Sequence, residues 1–511
     1  MATYTRNNAW NNGGTFNNPD LLWYAKGVGV MQFRALDDTS SWWFFAAIHG
    51  EYIGESGFPG WGSIPAPPSV PTAPLPAQDV RDTYWDQCQH QSWYFPPWHR
   101  GYLIALEAQI RAAVVGLGGP ADWALPYWNY FGPDDEYEIP PAFTQQTLPD
   151  GTTPNPLFVA ARYGPNNDGN IFIPIPPVSQ GCEGNDVYTG SDPATPLPGF
   201  GGPETGFSHQ GDVSGNLESN PHNQVHVDVG GNSPDGETWG LMSDPGIAAL
   251  DPVFYLHHGN IDRMWAAWNN NGNSNPADPN WLNGPAAVGE REFAMPMPDG
   301  SSWVYTPEMV NSLSQLDYTY DDLSVAVAPQ PAVRLARRLS KLRAANAAAN
   351  AAPGAAMNTG DSSELVGSNN QALQIKSSGA RAVVRLDSDV RGKVSASLSA
   401  ASETSPPDHV YLQLENVRGT RDSYKLNVSV NQQHAGTVAL FGLRRASLKD
   451  GAHGGEGLTF VLDITNIIDN LFVDDALDVN TLDVRIVPNQ SVADSADITV
   501  GRVSVYRQGQ Q

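Results

Sequence analysis

Apolar and polar positions follow two different periods along this chain. Up to about residue 330, aromatic and aliphatic residues recur at helical spacing, which predicts helices over Asn18–Arg34, Ser40–Gly50, Thr83–Gln89, Trp98–Val115, His222–Val229 and Asp251–Asn269. The last has the clearest start, because Asp251 can cap free N–H groups and Pro252 suits a first helical turn. Polar, proline- and glycine-rich stretches such as Pro65–Pro76 and Asn166–Gly202 read as long loops between them. Beyond about residue 370 the period becomes two: VYLQLENV, YKLNVSVN, TVALFGL, LTFVLDI, LDVRIVP and ITVGRVSVYR alternate between turn signals as half-buried strands do.

The predicted architecture is therefore a mainly α-helical domain over 1–333, a helix-bundle core with long loops, followed by a C-terminal antiparallel β-sandwich over 371–511. The span 334–370 joins them. It opens with five basic residues on a short Leu-bearing helix from Arg334 to Arg343, then becomes an Ala, Asn, Gly and Ser-rich linker. No repeat of solenoid period is present.

Composition narrows the functional classes. A length of 511 residues suits two or three domains, and 50 glycines with 42 prolines fit the long loops. The formal charge of −26 would repel phosphate backbones and anionic lipid, which excludes nucleic acids and membrane surfaces as expected partners. The aromatic run Trp42–Ile48 is too short to cross a bilayer, and the start MATYTRNNAW lacks the apolar segment of a secretory signal, so a soluble, cytoplasmic protein is expected. Cys88 and Cys182 are too few for a disulfide framework, although one bridge between them stays open.

The histidines change the picture most, since eight of eleven stand at or before position 258. His222 and His226 lie four apart in HNQVH, so on a helix both rings project from one face and can reach one metal; alone, such a pair is as readily two solvated or capped histidines. His90 and His99 flank Pro96 and Pro97, which break any continuous helix between them and let His90 end one helix while His99 begins the next. His257 and His258 are neighbours on one helix, about 100° apart, and cannot share a role.

FPPWHRGYLIALE, HNQVH and DPVFYLHHGNIDRMW, in this order and at this separation, resemble the two copper-binding signatures of the tyrosinase, catechol oxidase and haemocyanin family of type 3 dicopper proteins. The resemblance covers most of residues 20–270 and makes the helical domain a dicopper catalytic domain. It implies that His49, His90 and His99 hold one copper ion and that His222, His226 and His258 hold the other, with O2 as co-substrate. It further implies that His257 is the non-ligand histidine of its pair and that Asp262 and Arg263 buttress its helix; His209 is read as a loop histidine. Imidazole suits both copper oxidation states, and six neutral donors leave open positions where two metals can share one O2.

Further roles follow from the same resemblance. Cys88, two residues before His90, is similar to the site of a thioether to that histidine ring; a small buried thiol and a disulfide to Cys182 are the alternatives. Glu218 and Asn223 resemble the pair that holds a basic water in monophenol-active members, against the alternative that Glu218 caps the helix near Pro221 and Asn223 faces solvent. Val227 is expected at the substrate entrance. Trp93, Tyr94, Trp98, Phe254 and Tyr255 adjoin ligands and read as either an aromatic pocket or core, and Glu107 as either an orienting acid or an ordinary buried one.

The C-terminal segments are similar to the β-domain of plant-type polyphenol oxidases, which implies a cover over the copper site, a plugging side chain and removal by a protease. Ala344–Asn370 is the expected cleavage zone, and Leu440, Phe441 and Leu443 are candidates for the plug. The activity implied is ortho-hydroxylation of monophenols and oxidation of o-diphenols to o-quinones, latent until the cover is displaced, with small phenols as substrates and pigment formation as the family-level outcome. A diphenol-only catechol oxidase, an o-aminophenol oxidase and a haemocyanin-like O2-binding protein are the alternatives; oligomeric state is not legible.

Overall fold

The computed structural model describes residues 4–53, 61, 64–65, 69–190, 198–207, 212–326, 363–400, 407–449, 455–474, 477 and 480–509. The basic helix and most of the linker expected over 334–370, together with His209, lie outside the described residues.

Among the described residues the longer helices of the first domain are α1 (Pro19–Gln32), α2 (Trp42–His49), α3 (Gln78–Tyr84), α4 (Phe95–Gly116), α5 (Asn223–Gly230) and α6 (Val253–Asn270), followed by two short ones, α7 (Pro279–Asn283) and α8 (Pro307–Val310). Local chemistry sets their starts. Asn18 accepts the Asp20 N–H at 3.0 Å ahead of Pro19, and Ser41 Oγ accepts the Phe44 N–H at 3.0 Å. Asp251 accepts the Val253 N–H at 2.9 Å as expected, but Pro252 stands just before α6 rather than inside it. Every residue of α2, WWFFAAIH, is buried, as an all-round apolar helix must be.

Two expectations fail locally. The helix placed over Thr83–Gln89 is in fact α3, ending at Tyr84, because Trp85 turns extended and Asp86 and Gln91 take left-handed backbone at φ 53° and 49°. His90 therefore sits on an irregular segment rather than at a helix end, while Pro96 and Pro97 fall in the tolerant first turn of α4. Close packing then locks α4: a Cβ on Gly101 would meet the Tyr305 ring at 2.1 Å, and the Tyr305 hydroxyl donates to the Trp98 carbonyl at 2.8 Å. Strand β1 (Tyr4–Arg6) pairs in parallel with β4 (Tyr318–Tyr320), tying both ends of the domain together, and β2 (Phe293–Pro296) pairs antiparallel with β3 (Ser302–Tyr305).

The C-terminal strands form one antiparallel sheet of nine, and its order is β10-β9-β12-β7-β5-β13-β8-β11 with β6 beside β13. Their ranges are β5 Glu364–Asn369, β6 Leu373–Gln374, β7 Ala380–Leu386, β8 His409–Arg418, β9 Lys425–Val430, β10 Gln433–Ala439, β11 Leu458–Asp463, β12 Thr481–Pro488 and β13 Thr499–Gln508. The expected antiparallel layer is present as this one curled sheet, wrapped on a core from Val366 to Val505 that includes helices Ser388–Ala400 and Thr465–Val473. Strand β5 lies inside the span read as linker; ELVGSN has too little alternation to announce a strand, and pairing with β13 supplies what propensity does not. No described helix is long and apolar enough to cross a membrane.

Candidate metal centre

Three elements converge on each half of the site. His49 closes α2, His90 lies on the irregular segment after α3, and His99 stands in the first turns of α4. Their ring centroids are 5.3 to 5.9 Å apart. On the other side His222 ends a one-turn π-helix, Glu218–His222, that runs into α5; His226 is one turn further on, and His258 comes from α6. These three rings are 4.4 to 5.6 Å apart. The trios face each other, with His99 stacked on His258 at 4.3 Å and His90 at 6.1 Å from His222.

Second partners aim the rings. Nδ1 of His49 bonds the Pro245 carbonyl at 2.9 Å, that of His99 the Phe95 carbonyl at 2.8 Å, and that of His226 the Met242 carbonyl at 2.7 Å. His222 Nδ1 bonds Asn223 Oδ1 at 2.8 Å. Each such bond places the ring proton on Nδ1 and leaves the Nε2 lone pair for a metal. His49 Nε2 and His226 Nε2 are buried without a hydrogen-bond partner, and His222 Nε2 approaches His258 Nε2 to 3.3 Å. Burial first, and neighbouring imidazoles second, push His99, His222 and His258 far below the ordinary histidine range, so the rings are neutral donors. Unpaired buried nitrogens are costly, and cations between the rings would satisfy them.

His257 belongs to the second group by distance, since its ligand-capable nitrogen gathers with those of His222, His226 and His258. Orientation separates the neighbours. His258 turns toward the first trio, 6.3 Å from His49, whereas His257 lies against His222 and Tyr130 at 5.3 and 5.8 Å. Burial alone drives the His257 ring to about 3. Cys88 Sγ likewise joins the first group, 3.6 and 3.4 Å from the two nitrogens of His90 and 3.4 Å from His99 Nε2. Burial pushes its thiol up, which disfavours a thiolate ligand, and both cysteines are free, so the alternative of a Cys88–Cys182 disulfide is set aside.

The two residues expected to buttress the helix make separate contacts. Asp262 pairs with Arg100 at 2.5 Å and Arg6 at 3.2 Å and accepts from the Tyr318 and Tyr320 hydroxyls, while Arg263 bonds Asn260. Adjacent side chains on a helix diverge by about 100°, so the neighbours reach different partners. Glu107 orients no histidine; it pairs with Arg6 and Arg111 and accepts the Leu125 N–H. Phe254 packs on His258 at 4.2 Å and His49 at 4.8 Å, whereas Tyr255 bonds Tyr102. Trp98 abuts His99 and Tyr102, and the Trp93 indole and Tyr94 hydroxyl bond to the backbone carbonyls of Thr205 and Asn280, so these three are core.

Glu218 and Asn223, the pair expected to handle the phenol proton, are both buried, neither capping nor facing solvent. Glu218 takes the Gln91 N–H on both oxygens at 3.0 and 2.9 Å, and burial, opposed by that bond, pushes its carboxyl up to about 8. Above the site stands Phe441 of the C-terminal domain, parallel to His226 at 4.2 Å and edge-on to His90 and His222 at 5.7 and 5.8 Å. It forms an apolar cluster with Val227 and Ala439. Of the three plug candidates, Phe441 is the one that reaches the histidines, and Leu440 and Leu443 belong to the sheet domain's core.

The common central domain of tyrosinase matches residues 39–271, and a family described only as a domain of unknown function matches 362–508. The tyrosinase HcTyr1 of Hahella sp. (strain CCB-MM4) is 31% identical over 501 residues, 95% of this chain and 96% of that protein. The chain belongs to the tyrosinase family. It is a tyrosinase-type enzyme, and the two histidine clusters fit the dicopper site that the family implies. The chloroplastic polyphenol oxidase of Spinacia oleracea is 31% identical over 270 residues, 48% of this chain and 36% of that one. The fold extends beyond the catalytic half: latent apple tyrosinase superposes with a TM-score of 0.59 at 20% identity, covering 99% of this chain and 98% of its own.

Proposed function

We propose that this enzyme hydroxylates monophenols at the ortho position and oxidises o-diphenols to o-quinones, and that it is latent while its C-terminal domain stays in place. The observation that carries the reading is the pair of facing imidazole trios beneath Phe441. His49, His90 and His99 would hold one copper and His222, His226 and His258 the other; when bound, the metals supply the two-electron chemistry that couples ring oxidation to reduction of O2.

The protein's own part is positioning and proton handling. Aromatic and aliphatic walls from Phe254 and Val227 suit a small phenol ring and exclude bulk water. Glu218, as carboxylate, accepts the phenol proton through a water oriented by the Asn223 amide, which also holds the His222 ring. Oxidation of an o-diphenol relies less on that base, so Glu218 and Asn223 govern which phenols are used. The near-equal separation of Cys88 Sγ from both His90 nitrogens supports a thioether at the carbon between them, fixing the ring without a third donor type.

The reading is tested by loading the chain with copper, cutting it within 334–370, and following oxygen uptake with a monophenol and then an o-diphenol. Both substrates should be consumed, and faster after cleavage than before. Turnover of the diphenol alone would give the narrower catechol oxidase, and turnover of neither would leave O2 binding.

A further inference from the structure

Around Glu218 a second set of polar groups closes that neither copper half contains by itself. Gln91 directly follows the ligand His90 and is left-handed at φ 49°, which turns its N–H toward both Glu218 oxygens. Its side-chain amide donates to Glu218 Oε1 at 3.3 Å and to Ser214 Oγ at 3.4 Å. From the other copper half, Asn223 Nδ2 donates to the same Ser214 oxygen at 3.3 Å. The Asn223 carbonyl oxygen is already taken by His222 Nδ1, so its amide has one orientation only.

The hydroxyl of Ser214 is the hub. A serine oxygen accepts at two lone pairs and donates one hydrogen. Gln91 and Asn223 occupy its acceptor positions, and the same Gln91 amide also bonds Glu218 Oε1. The Ser214 oxygen thereby ties the Gln91 and Asn223 amides together, and Gln91 joins both to Glu218 and to the loop that carries His90.

We infer that Ser214 and Gln91 are positioning residues that hold Glu218 and Asn223 in register for monophenol hydroxylation. The inference rests on the reading of Glu218 as the proton acceptor. Loss of the hub leaves the acceptor chemically intact but frees the Gln91 and Asn223 amides to turn, and a bridging water is then no longer held in line with the phenol oxygen. Monophenol turnover should fall more than o-diphenol turnover.

The experiment compares Ser214→Ala, Ser214→Thr, Gln91→Gly and Glu218→Gln as copper-loaded, linker-cut enzyme, reading the ratio of monophenol to o-diphenol turnover. In the copper-free uncut chain near pH 6, infrared spectroscopy reads the Glu218 carboxyl band, assigned by its loss in Glu218→Gln. Ser214→Ala should lower the ratio roughly tenfold, the rate equivalent of about one hydrogen bond, and shift the band. Ser214→Thr, which keeps the hydroxyl, should restore both. Gln91→Gly keeps the left-handed backbone and its N–H but loses the amide; it should move both readouts in the same direction, and it stands in if Ser214→Ala does not fold. An unchanged ratio with an unmoved band in Ser214→Ala and Gln91→Gly overturns the inference while Glu218→Gln still loses monophenol turnover. Full monophenol turnover in Glu218→Gln instead overturns the reading beneath it.

Discussion

His257 and His258 show what a residue-level argument can decide. Both are fully buried on α6, yet only His258 faces the opposite trio. His258→Ala should therefore bind one copper fewer than the parent and lose oxidase activity, while His257→Asn should keep both metals; metal analysis of the purified variants checks this. Glu218 carries a second expectation. Burial raises its folded carboxyl to about 8, against roughly 4.3 in the unfolded chain, so between those values the folded state binds a proton that the unfolded state has released. Stability of the copper-free protein attributable to this group thus falls as pH rises through that window. Glu218→Gln has no proton to lose, and its melting temperature relative to the parent should rise from about pH 5 to about pH 9; a pH-independent difference would contradict the assignment. Most of this residue set was legible in the sequence, because metal chemistry restricts donors to few residue types at fixed spacing. Gln91 and Ser214 were not, since a glutamine and a serine in loops carry no pattern until folding brings them to Glu218.

Between elements, α4 and α6 are joined by charge as well as by packing. Asp262 on α6 binds Arg100 on α4 and Arg6 on β1, and Arg6 also binds Glu107 on α4. All four are buried, so removing the central charge leaves the Arg100 guanidinium without its carboxylate, while Arg6 keeps Glu107. Asp262→Asn is expected to cost about 3 to 5 kcal/mol by chemical denaturation of the copper-free protein. Helix periodicity exposed α4 and α6 in the sequence, and the Asp251 cap placed the start of α6 within two residues. The same reasoning misplaced α3 because QDVRDTY and the run after it are equally polar, and the boundary is set by backbone turns at Asp86 and Gln91. The partners of Asp262 lie 162 and 256 positions away, beyond the reach of any local pattern.

Across the whole molecule, the two domains meet through buried polar pairs that frame an apolar plug. Lys425 binds Asp228 and Arg444 binds Asp244 at 2.7 Å, while Gln224 donates to the Thr437 carbonyl at 2.7 Å. Within that frame, Phe441 alone among the described seam residues stacks on one of the clustered histidine rings, that of His226. The strand pattern revealed a sheet domain, but a phenylalanine after an apolar strand reads as core until the domains are docked. Docking and blocking are thus assigned to different residues, and they can be separated. Phe441→Ala should leave the polar frame in place and raise o-diphenol turnover of the uncut, copper-loaded chain by at least about tenfold, equivalent to about 1.4 kcal/mol of relieved exclusion. Lys425→Met should act differently: it buries Asp228 unpaired, weakens the whole seam and makes the linker-cut halves separate more readily by size exclusion. If Phe441→Ala stays as slow as the parent while cleavage still activates it, the covering domain excludes substrate by its bulk and not through that ring.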